Sequence, residues 1–103
     1  MSGRKSKSKG YRNEKSIEKT LQEGGLDAKR MPLSGGMGGD FAGDIQIKDS
    51  KMGDLVLAEC KERNSGLKTI YDWLSDYPLL FLKMTRNPQL VVMRIEDFLR
   101  LMK

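Results

Sequence analysis

Asp44 and the triplet Glu59-Cys60-Lys61 have residue types and a spacing that could do chemistry. Asp44 opens a strand-like run, DIQI, and Glu59 lies near the end of the next, DLVLAECK, with the polar turn KDSKMG between them. A hairpin of this kind is antiparallel, so the start of its first strand and the end of its second lie at one edge of the sheet. Two carboxylates at that edge can share a divalent cation. Side chains alternate along a strand, so Glu59 and Lys61 point one way and Cys60 the other. The chemistry this suits is phosphodiester hydrolysis. Hard carboxylate oxygens hold Mg²⁺, which polarises the phosphate and lowers the pKa of bound water. A lysine beside the metal orients that water or stabilises developing negative charge.

Composition narrows the alternatives. The chain has no histidine and one cysteine, which rules out an internal disulfide, a Cys/His zinc site and every His-based catalytic pair. Any bound metal is then held by oxygen ligands, which favours Mg²⁺ with Mn²⁺ as a substitute, and no small-molecule cofactor is expected. The net charge of +5 suits a polyanionic partner. With 38% hydrophobic and 32% charged residues the chain is an ordinary globular domain with a polar tail. No apolar run is long enough to span a bilayer and no secretory leader is recognisable, so an intracellular protein without membrane contact is expected.

The elements that must position these residues follow from periodicity and turn chemistry. Residues 1–10, MSGRKSKSKG, lack hydrophobic period and are expected to be a disordered basic tail, either solubilising or phosphate-neutralising. Residues 11–103 are expected to form a single domain. Ile17 and Leu21, four apart, predict a short amphipathic helix ended by Gly24-Gly25, with Glu14 on the face toward the core. A first strand over residues 26–32 leads into the glycine-rich loop SGGMGGDFAGD. In the strand before Lys61, Leu55 and Leu57 share a face with Glu59, which is therefore expected at the end of a buried row. A helix over 68–77 has Ile70, Trp73 and Leu74 at packing positions. Runs at 78–85 and 89–95 predict a second hairpin, and 96–103 a closing helix. The order is α-β-β-β-α-β-β-α. The strand–helix–strand step makes the third and fourth strands parallel neighbours, hence a mixed five-stranded α/β sheet flanked by helices.

These residues, in this order, resemble the archaeal and phage Holliday-junction resolvases of the PD-(D/E)XK nuclease superfamily. The likeness runs through Gly10 and Glu14, a basic strand with Lys29 and Arg30, the loop Pro32, Ser34, Gly35 and Gly36, then Gly43-Asp44-Ile45, Glu59-Cys60-Lys61 and Arg63. Gly43 stands where the family motif has proline. The resemblance implies a restriction-endonuclease-like core and a magnesium-dependent endonuclease. It implies metal ligation by Glu14, Asp44, Glu59 and the backbone carbonyl of Cys60, and catalysis by Asp44, Glu59, Lys61 and Ser34. Arg12, Lys29, Arg30, Gly35, Gly36 and Arg63 become candidate DNA contacts. Branched DNA is the implied substrate, cut by a homodimer whose two-fold symmetry matches a four-way junction.

Each residue also has a plainer reading. Glu14 could be a solvated helix residue, Ser34 a turn residue and Arg30 a solvated strand end. Cys60 reads as a small core residue and not a nucleophile. A flap- or nick-directed nuclease of the same fold, or a non-catalytic DNA-binding protein that keeps the fold, stand as alternatives.

Overall fold

The structure is a computed structural model that describes residues 2–31 and 44–103, with side chains from residue 12 onward. Its elements are α1 (Ser2–Glu23), β1 (Asp27–Arg30), β2 (Ile45–Ser50), β3 (Gly53–Ala58), α2 (Lys68–Leu74), β4 (Leu80–Leu82), β5 (Leu90–Val92) and α3 (Ile95–Leu101). This is an α/β chain, and its element order agrees with the order read from periodicity. It divides into two compact units, residues 1–62 and 63–103.

In the first unit, β1, β2 and β3 form an antiparallel sheet with β2 in the centre. The register pairs Ala28 with Ile47 and Arg30 with Ile45 on one side, and Ile45 with Ala58 and Ile47 with Val56 on the other. These partners share one face by the pleat. That face holds the core: Ala28, Ile45 and Ile47 are buried, as are Leu21 of α1 and Met31 just after β1. α1 ends in a Schellman turn, in which Leu26 N–H donates to Leu21 C=O at 3.1 Å and Gly25 N–H to Gln22 C=O at 3.0 Å. Gly25 takes φ 97°, which only a residue without Cβ adopts at little cost.

The helix begins at Ser2, in the stretch expected to be a disordered tail. Lysine and arginine are good helix formers, and a helix already anchored by Leu21 extends backward one hydrogen bond per residue without a new nucleus.

The second unit contains α2, the antiparallel β4-β5 hairpin and α3. The Arg94 guanidinium fastens it by donating to the carbonyls of Ser75 and Tyr77, so the end of α2 is tied to the start of α3. Leu74 is buried, whereas Trp73 (58% exposed) faces solvent, against the packing role expected for it, as does its neighbour Tyr71 (74%).

Among the described residues, the five-stranded mixed sheet is replaced by a three-stranded and a two-stranded sheet, and every ladder is antiparallel. β4 and β5 have three residues each and find their partners across a short turn, in which Asn87 N–H bonds Met84 C=O. Closing that local loop costs less chain entropy than recruiting β3. No helix among the described residues is long and apolar enough to cross a membrane.

Candidate active site

The site is assembled at the end of the first sheet where β1 stops, β2 starts and β3 stops. Asp44 sits there, immediately before β2, and its backbone bridges both neighbours. Its N–H donates to Ala58 C=O at 2.8 Å and its C=O accepts from Met31 N–H at 2.9 Å. Its Oδ2 accepts from Cys60 N–H at 2.7 Å. With main chain and side chain both tied, the Asp44 carboxylate is fixed, and it is 8% exposed.

Glu14 reaches this place because α1 runs back along β1 in step with it. A helix advances ~6 Å in four residues and a strand ~6.6 Å in two, so one helical turn matches two strand residues. Gln22 Nε2 donates to Ala28 C=O at 2.8 Å. Four residues earlier, Glu18 Oε2 accepts Arg30 N–H at 2.7 Å. Four residues earlier again, Glu14 Oε2 lies 3.7 Å from the Arg30 guanidinium, both side chains largely buried. Glu18 and Gln22 thus act as rungs that deliver Glu14 to the end of the sheet. Sequence reasoning gave neither of them a role, although their spacings of four and eight residues from Glu14 are a visible signal.

Glu14 and Asp44 come within hydrogen-bonding reach of one another. Burial, then the charge and hydrogen bond of Asp44, push the Glu14 carboxyl above the usual glutamate range, and the Arg30 guanidinium only partly offsets them. Two carboxylates in this position either share a proton or share a cation.

Glu59 and Lys61 follow β3 and form an ion pair at 3.7 Å, with side chains 59% and 62% exposed. The expectation that Glu59 closes a buried row is corrected. Leu55 and Leu57 are themselves exposed, and the side of β3 that shares a face with the buried Ile45 and Ile47 is the Val56 and Ala58 side. DLVLAEC carries apolar residues on both faces, so alternation alone does not choose between them. Pairing of Ala58 and Val56 with the buried Ile45 and Ile47 does. Cys60 is half-buried, and its thiol is pushed up to about 11 by burial first, then by Asp44, Glu14 and Glu59. It is a protonated packing residue, as its alternation indicated.

Of the other candidates, Arg30 stands inside the site, while Lys29 and Arg12 are exposed on the first unit. Arg63 is exposed at the start of the second unit. Ser34, Gly35 and Gly36 lie outside the described residues. The oxygen donors suit a hard divalent cation: Glu14 and Asp44 already meet, and Cys60 is bound through its N–H to one of them. Among the described residues, no three acidic or thiol side chains stand together as a finished cage. Comparison of the chain with protein-family models, curated proteins and solved structures gives no match.

Proposed function

We propose that the chain is a metal-dependent, structure-selective DNA endonuclease of the Holliday-junction resolvase kind, with a PD-(D/E)XK active site. The observation that carries this reading is the meeting of Glu14 with Asp44 at the sheet end from which Glu59-Cys60-Lys61 emerges. Burying Glu14 against a second carboxylate costs free energy, and the Arg30 guanidinium offsets that cost only in part, which leaves the pair suited to a cation.

Glu14, Asp44, Glu59 and the Cys60 carbonyl would hold Mg²⁺ or Mn²⁺. When bound, the ion supplies charge neutralisation at the scissile phosphate and a water of lowered pKa. The chain's own residues set the stage. The Cys60 N–H orients the Asp44 carboxylate, and the Arg30 guanidinium holds Glu14 in place. The Lys61 ammonium, close to Glu59, donates a hydrogen bond to the attacking water or to the phosphate as negative charge grows on it. Branched DNA is read by shape and phosphate contacts, and a two-fold dimer supplies the paired cuts. The exposed Tyr71 and Trp73 of the second unit are the apolar surface offered for that pairing.

The test is cleavage of a labelled four-way junction in Mg²⁺, beside flap and linear duplex substrates, by wild type and Asp44→Asn. Selective cutting of the junction by the wild type alone is the expected result. Absence of cutting by the wild type, or equal cutting by both, overturns the proposal. Binding without cutting by the wild type identifies a non-catalytic DNA-binding protein.

A further inference from the structure

The charge of this protein is segregated on one helix. Arg4, Lys5, Lys7, Lys9 and Arg12 account for the whole net charge of +5, because the remaining lysines and arginines are matched one for one by the 14 acidic residues. All five lie in α1, whose backbone is helical from Ser2 to Glu23.

Within the part of α1 whose side chains are described, the basic residues gather on one side of the helix, with Glu18 and Glu23 at its margin. Glu14 and Glu18 turn to the sheet, where they engage Arg30. Ile17 is half-buried and Leu21 buried. Arg12, Lys15 and Lys19 are exposed, at spacings of three and four residues that put them on one face of the helix. With Ser16, Glu18 and Gln22 they line a shallow open groove along α1. Lys19 also touches Glu23 at 3.9 Å, a solvated pair of the kind that contributes little and is readily exchanged for another anion. Lys9 and Lys5 continue the same helical spacing toward the start of the chain.

We propose that Arg12, Lys15 and Lys19 form a phosphate-tracking surface for a nucleic-acid duplex, separate from the Glu14–Asp44 site. Periodic cations along a helix suit a regular polyanion. A bilayer surface fits poorly, because a membrane-lying helix needs an apolar face to insert. Among the described side chains of α1 the apolar residues are Ile17, half-buried, and Leu21, buried, and residues 2–10 contain none. The choice of a nucleic acid over another polyanion draws on the nuclease reading above, but the contact does not require cleavage.

The experiment measures binding of the full chain to a labelled, unbranched DNA duplex in EDTA across a salt series. The Arg12→Gln/Lys15→Gln/Lys19→Gln variant is compared with wild type and with Lys48→Gln/Lys51→Gln/Lys68→Gln, which removes equal charge from exposed positions elsewhere. Glutamine is a good helix former, and an unchanged far-ultraviolet spectrum confirms the fold. If three phosphates are neutralised, the slope of log K against log salt falls in magnitude by about 2.7 and affinity at 0.1 M salt drops on the order of 100-fold. The control variant should lose much less, and Arg12→Lys/Lys15→Arg/Lys19→Arg should bind like wild type. Three results overturn the proposal: no duplex binding by wild type, equal losses in the two glutamine variants, or binding to phosphatidylserine vesicles in preference to duplex. Failure of junction cutting with duplex binding intact would refute the nuclease reading alone.

Discussion

Glu18 accepts the backbone amide of Arg30 at 2.7 Å, and this bond sets which turn of α1 stands over which residue of β1. Shifting the helix by one residue rotates its contact face by about 100°, which would carry Glu14 away from Asp44. Glu18 is therefore the register pin of the site, although it is not itself a candidate ligand.

Glu18→Ala leaves the partly buried Arg30 N–H without its acceptor and should lower stability by about 1–3 kcal/mol. Gln22→Ala, which orphans only the Ala28 carbonyl, should cost about 1 kcal/mol. Urea midpoints of the full chain measure both, and equal stability of Glu18→Ala and wild type would show that the bond does not hold the register.

Asp44 separates structural from chemical roles. Asp44→Asn keeps a side-chain oxygen for Cys60 N–H and removes the like charge beside Glu14, so this variant should match or exceed wild-type stability in EDTA while losing Mg²⁺-dependent cutting. Asp44→Ala loses the acceptor as well and should be less stable by about 1–3 kcal/mol. Thermal melts of the three proteins, read beside the cleavage assay, check the order.

The raised Glu14 carboxyl makes stability depend on pH in a definite direction. A folded-state pKa above the unfolded value means that the native state holds more protons, so stability falls as pH rises. Glu14's contribution is fully present below the ordinary glutamate value and is lost as pH climbs through its raised native one. Without metal, Glu14→Gln should therefore flatten the decline that sets in as pH rises above the ordinary glutamate value. Added Mg²⁺ should stabilise the wild type more as pH rises, because a cation binds the ionised Glu14 carboxylate and not its protonated form. Urea midpoints across a pH series give the slopes, and parallel curves for variant and wild type would count against the shift.

With its thiol at about 11, Cys60 carries few thiolates at about pH 8. Even allowing for the greater intrinsic nucleophilicity of a high-pKa thiol, alkylation by iodoacetamide should run at least about tenfold slower than for a free cysteine. Urea should restore the ordinary rate. Cys60→Ala should retain cutting, since only its main chain is assigned a role.

The order of elements was readable because each has a local cause: four-residue apolar spacing in α1, the Gly24-Gly25 stop, and polar turns between apolar runs. That Glu14 and Asp44 belong together was readable through motif order, and the structure brings the two side by side. Which face of β3 is buried was not, because Leu55 and Leu57 are as apolar as Val56 and Ala58, and only pairing with Ile45 and Ile47 decides. The division into two sheets was equally hidden. A parallel β3–β4 partnership and a local β4–β5 hairpin use the same residue types and differ in long-range pairing. Glu18 and Gln22 escaped notice because a polar residue on a helix reads as solvated until a strand edge is known to lie beside it.

That strand edge has one more consequence. Arg30 N–H and Ala28 C=O belong to the side of β1 that faces away from β2, a row of groups that could template another chain's strand. Glu18 and Gln22 occupy these two with side-chain bonds. The rungs that align α1 thus also make this edge of the sheet a poor seed for edge-to-edge aggregation. A helix loosened by Glu18→Ala would expose both a misplaced site and a sticky strand.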